Sequence, residues 1–248
     1  MNIDLLFDKF SKKIHKCAFQ INLSKDIISA EKNRLKANYS EQFESDNLEQ
    51  EIYWNNEVFY SWNDGRPISY GQGPVTLHDL WNGTFYYHNK VYQWLLATSF
   101  EAFEEYLKKS APILNIEETL SSASLILKKI RNRYPKYVLE ETIDNCFLLM
   151  LIERMRHHIV HCSGRVSDYD LFIRKILEPI GIYNDGHYDV RYKSTIDDYF
   201  KEDIKGEIVL LEIPVLSLPG LQAETTVLNN LFSVMLNSAF HIKKLVVS

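Results

Sequence analysis

The stretch "ERMRHHIVHCSGRVSD", Glu153 to Asp168, gathers three histidines and three arginines within twelve positions. Imidazoles titrate near neutral pH and move protons. Guanidinium groups stay charged and grip phosphate or carboxylate through fixed donors. Together they could form a catalytic pair. His157 and His161 (i, i+4), or His158 and His161 (i, i+3), could also share a metal. However, "HHIVH" lacks the glutamate of the zinc-protease signature, and no acid or cysteine completes a familiar ligand spacing. Histidines and arginines at a helix C-terminus also complement the helix dipole without any catalytic role.

The element that must position these residues reads as a helix from about Glu140 to His161. At 100° per residue, Phe147, Leu148, Leu151, Ile152, Met155 and Ile159 form one apolar arc, with His158 at its edge. Cys146, Leu149, Met150 and Val160 fall on the opposite side. A helix that is apolar on two sides needs two covers: its own bundle and a further surface, either another helix or a second subunit. Arg156 and His161 bracket that second face. They point about 140° apart and lie about 7.5 Å apart along the axis, so they converge only if the arginine curls or the helix end unwinds. Gly164 is placed to supply a left-handed terminating residue.

This segment resembles the signature of the HEPN superfamily (higher eukaryotes and prokaryotes nucleotide-binding). Arg156 is followed by a polar residue, His157, three intervening residues and His161. The Ile159–Val160 pair and the small–Gly turn extend the match to about 25 residues of the 248, with weaker support from the helix "YQWLLATSFEAFEEYL". The resemblance implies a helical bundle that dimerises, with two motif helices lining one cleft. Many members are metal-independent ribonucleases, often toxins or defence proteins. Others bind RNA, a nucleotide or a protein partner without catalysis. On that template Arg156 holds the phosphate, His161 is the base or the acid, and His157 supplies the second proton transfer or orients the phosphate. Arg154 and Arg165 extend a positive rim that binds substrate. Glu101, on the earlier helix, is a candidate to orient an active-site group. The expected partners are RNA, a second copy of the chain and an antitoxin; no cofactor and no metal are expected.

The rest of the chain sets the frame. Apolar residues make up 46% and Gly and Pro only 9 and 7 positions, which favours helices over a β-sandwich. The fold expected is mainly α, a HEPN-like bundle forming one domain over 1–248, with a small β-hairpin excursion. Long helices are read at 3–37, 84–109, 116–133 and 221–245. A shorter helix covers "SDYDLFIRKIL", capped by Ser167 or Asp168, and another covers "EIYWNNEVFYSW". The glycines and prolines of 63–83 mark a long loop. "YDVRYKS" and "EIVLLEIPVLS" within 188–218 read as a hairpin from their β-branched and aromatic content. Net charge is −5, so nucleic acid would be held by a local patch rather than by the whole surface. "KKIRNRYPK" (128–136) is one such patch or a solvated helix end. No apolar run is long enough to span a bilayer. The mixed N-terminus and three scattered cysteines point to the cytoplasm, without a membrane partner.

Overall fold

A computed structural model describes residues 2–53, 59–60, 67–68, 74–116, 122–134, 143–184, 187–200, 206–211 and 227–247. The chain is mainly helical with small antiparallel strand pairs. In order it runs α1 (Ile3–Asn38), α2 (Ser40–Glu44), β1 (Glu51–Tyr53), β2 (Phe59–Tyr60), β3 (Pro67–Ile68), β4 (Pro74–Thr76) and α3 (Leu77–Ser110). It continues with α4 (Ala123–Arg133), α5 (Ile143–Cys162), α6 (Tyr169–Leu177), a 3-10 turn (Glu178–Ile180), β5 (Tyr183–Asn184), β6 (His187–Tyr188), α7 (Val190–Asp197) and α8 (Val227–Val247). These form two compact units, Met1–Asn22 with Asn89–Ser248, and Leu23–His88.

The larger unit holds the main core. From α1, Leu6, Phe10, Ile14, Cys17 and Ile21 are buried, as their spacing requires of an amphipathic helix. From α3 come Tyr92, Leu95, Leu96, Phe103, Tyr106 and Leu107. Phe10 stacks on Tyr106 with ring centroids 5.4 Å apart. Helix α5 packs on α4, α6, α8 and the 3-10 turn. Its arc Phe147, Leu151, Ile152 and Met155 is buried, but so are Leu149 and Met150 on the other side. The second cover needed by a two-sided helix is therefore largely supplied by helices of the same chain; Val160, near the end, remains exposed.

The smaller unit packs Leu35, Ile52 and Leu77, with Phe43 edge-on to Trp81. Strand β1 pairs antiparallel with β4 (Ile52 opposite Val75), and β2 pairs with β3.

Several elements differ from the sequence reading. Helix α3 starts at Leu77, not Thr84. Thr76 and Asp79 form a reciprocal cap: Asp79 N–H donates to Thr76 Oγ1 at 3.0 Å, and the Thr76 hydroxyl donates to Asp79 Oδ2 at 2.8 Å. Glu51–Tyr53 and Phe59–Tyr60 are strands rather than parts of a helix. A hairpin exists, but at 183–188, with Tyr183 opposite Tyr188. Within 188–218, the stretch read as its first strand is helix α7, because Asp189 caps it by accepting from Arg191 N–H at 2.9 Å and Tyr192 and Ile196 bury one face. Among the described residues, 206–211 make single bridges, Glu207 to Arg165 and Ile208 to Phe200, and 212–218 lie outside the described residues. So do 117–121, 135–142 and 221–226, which the reading placed in helices or in the basic patch, and most of 54–73. Asp168, not Ser167, caps α6 by accepting from Leu171 N–H at 2.9 Å.

Candidate functional site

Helix α5 ends in a turn that the rest of the larger unit holds in place. Ser163 and Gly164 both adopt left-handed backbone, φ 54° and 81°. Gly164 N–H reaches back to the His158 carbonyl at 2.9 Å, and Arg165 N–H to that of Cys162 at 3.0 Å. A Cβ on Gly164 would lie 2.6–2.8 Å from the Gln93 amide, so the position demands glycine for space as well as for conformation. One turn of α3 forms the clamp. Lys90 Nζ donates to the Ser163 carbonyl at 2.7 Å and pairs with Glu207 at 2.9 Å. Asn89 and Gln93 both donate to the Ile208 carbonyl, at 2.9 and 2.6 Å. The 206–208 segment closes the arrangement: Val166 N–H donates to the Gly206 carbonyl and Ile208 N–H to that of Gly164. None of Asn89, Lys90 and Gln93 entered the sequence reading. Their signal was weak: polar residues on the buried face of an otherwise apolar helix.

The structure divides the three histidines of this end into two roles. His158 donates from Nδ1 to the Arg165 carbonyl at 2.9 Å; a carbonyl only accepts, so this nitrogen carries the proton. Its ring meets Phe172 edge-on at 5.3 Å. It is a strut, as its place at the edge of the apolar arc suggested. His157 and His161 are exposed, one turn apart, with ring centroids 4.8 Å apart. His157 is crowded along its flanks. Partial burial first, then the neighbouring His161, His158, Arg154 and Arg156, hold its imidazole below the ordinary value of 6.5. Neutral imidazole is thereby favoured at this position.

Arg156 does not point into the histidine pair. Its Nη2 donates to Glu101 Oε1 on α3 at 3.2 Å, an ion pair whose arginine side is 24% exposed and glutamate side 54%. Among the described residues its buried Nε meets no hydrogen-bond partner, nor does that of Arg154. Arg165, just past the turn, is exposed. Glu153, which the sequence reading passed over, is half-buried just before these arginines on the chain. Burial raises its carboxyl above the ordinary range, against the lowering effects of Ser124, Arg154 and Arg156.

The geometry thus brings His157 and His161 together and keeps Arg154 and Arg156 close enough to bias the protonation of His157. It joins Arg156 to Glu101, and it assigns His158 to packing. Among the described residues no three His, Cys, Asp or Glu side chains converge on a point that could hold a metal ion, and no helix is long and apolar enough to cross a membrane. In comparisons with known proteins, no family model, no curated protein and no solved structure matches the chain.

Proposed function

We propose that this chain is a metal-independent endoribonuclease of the HEPN type. The observation that supports the reading best is the solvent-facing His157–His161 pair, 4.8 Å between rings, on the last turns of α5 beside Arg154 and Arg156. RNA carries its own nucleophile. One imidazole takes the proton of a 2′-OH, whose oxygen attacks the adjacent phosphorus. The bond from phosphorus to the 5′ oxygen breaks, and a second imidazole returns a proton to that oxygen. The products are a 2′,3′-cyclic phosphate and a 5′-OH. His157, biased toward the neutral form, suits the base, and His161 the acid. Arg156, released in part from Glu101, stabilises charge on the phosphorane, with Arg154 and Arg165 on the rim. A homodimer would set two such ends across one cleft, and a toxin or defence role with an antitoxin partner follows from the same resemblance.

A second reading, a non-catalytic module that binds RNA, a nucleotide or a protein, draws on the Arg156–Glu101 pair. A guanidinium already held by a carboxylate has less to offer a phosphate. Purified protein incubated with mixed RNA in EDTA separates the two. Cleavage that leaves cyclic phosphate ends and drops by about 100- to 10,000-fold in His161→Ala, with the fold intact, supports the nuclease. RNA retention without cleavage, lost in Arg156→Ala, supports the module. Neither cleavage nor retention refutes both.

A further inference from the structure

A second cationic surface lies on the same unit, away from the histidines. Helices α1 and α3 enclose a cleft of about 310 Å³, rimmed by Lys9, Lys12, Lys13, Lys16 and Lys109, with one carboxylate, Glu105. The four α1 lysines recur at i, i+3, i+4 and i+7, so they share one helix face. All are exposed, while Phe10 and Tyr106 are buried beneath them. Lys13 pairs with Glu105 at 2.6 Å, and Lys109 bonds the same carboxylate. Those two lysines hold Glu105 down to about 2, so it stays ionised and offsets a single charge. Among the described residues no carboxylate pairs with Lys9, Lys12 or Lys16. The cleft therefore keeps an excess of four positive charges on a chain whose net charge is −5.

We infer that this lysine cleft binds the phosphate backbone of an RNA strand. The inference deepens the nuclease reading and rests on it for the identity of the polyanion. Three features select a repeating phosphate chain over a single small anion. From Lys9 to Lys16 the charges extend about 10 Å along the axis, longer than one phosphate. Lysines are point charges on flexible stems, without the fork that fixes one group in one geometry. The aromatic rings in the cleft floor are covered, so bases have nothing to stack on and contact falls to the backbone. Helix α3 also links the cleft to the candidate site. Glu101, which pairs with Arg156, and Glu105, which pairs with Lys13, are one turn apart on α3, about 6 Å along its axis. A strand whose phosphate meets Arg156 can therefore run on into the lysines.

The test uses the full chain in EDTA, with His161→Ala as the background so that bound RNA stays intact. A fluorescent single-stranded oligouridylate is titrated by anisotropy over a range of salt concentrations. The comparison is with the same protein carrying Lys9→Gln, Lys12→Gln and Lys16→Gln, three exposed positions that leave the Glu105 pairs in place. Each lost phosphate contact removes about 0.7 from the slope of log affinity against log salt, so the slope should fall by about 2 and low-salt affinity about tenfold or more. In the parent chain, the same three substitutions should slow cleavage of long RNA and leave a dinucleotide substrate unaffected. An unchanged slope and affinity overturn the inference, even if the parent chain cleaves RNA. If the parent chain does not cleave but lysine-dependent RNA binding persists, the nuclease reading fails and the cleft assignment stands. Lysine-dependent capture by mixed phosphatidylcholine–phosphatidylserine vesicles, without lysine-dependent RNA binding, also overturns it.

Discussion

Replacing Gly164 with alanine should unfasten the end of α5. Two costs add. A residue with a Cβ held at φ 81° carries strain of about 1–2 kcal/mol. The new methyl would also overlap the Gln93 amide, 2.6 Å from Oε1. Gln93 is buried and donates to the Ile208 carbonyl at 2.6 Å, so pushing it aside leaves a buried amide unsatisfied, at about 1–3 kcal/mol. The expected loss is about 2–5 kcal/mol, or a Tm drop of about 4–20 °C for a chain of this size. Urea and thermal denaturation followed by circular dichroism measure it. The cycle with Gln93→Ala isolates the overlap: in that background Gly164→Ala should cost only the strain, about 1–2 kcal/mol. A single-variant loss below about 1 kcal/mol, or equal losses in both backgrounds, would refute the argument that this glycine is fixed by the clamp on α3.

Three further outcomes follow from the same geometry. In the nuclease assay the rising, acidic limb of the pH–rate profile should have its midpoint below 6.5, because the base, His157, loses its proton earlier than a free imidazole. Arg154→Gln should shift that limb upward, and histidine NMR titration reads the same change directly; a midpoint above 6.5 counts against His157 as the base. Since the folded-state value is the lower one, the stability linked to His157 is present above pH 6.5 and is lost as pH falls below it. Glu101→Gln should change stability by less than about 1 kcal/mol, since the pair is partly exposed, yet tighten RNA binding by freeing Arg156. Denaturation and anisotropy together check it, and weaker binding would mean that Glu101 positions the arginine productively. Lys90→Met should cost about 3–5 kcal/mol in denaturant, because it strands the buried Glu207 carboxylate without its cation; a neutral result would refute the role given to this ion pair.

How much was legible differs from element to element. The amphipathic period placed α1 to within a residue at each end, and burial of Leu6, Phe10, Ile14 and Ile21 follows directly from it. The start of α3 was legible as well, in the "TLHD" capping box of Thr76 and Asp79, but glycines and prolines on either side masked it. Helix α7 was misread because valine, tyrosine and threonine favour strands only weakly, and a cap with two buried residues overrides them.

The candidate site shows the same division. Sequence alone determined that α5 is a helix, that Gly164 ends it, and that His157 and His161 share a face, since these depend on a fixed local period of 3.6 residues. The tertiary structure decided the rest. It turned Arg156 toward Glu101, fixed the His158 proton on Nδ1, drew Asn89, Lys90 and Gln93 under the Gly164 turn, and covered most of the second face of α5 with the chain's own helices. Those outcomes depend on which distant segments meet, over separations of 55 residues for Glu101 and Arg156 and 115 for Gln93 and Ile208, and no local period carries that information.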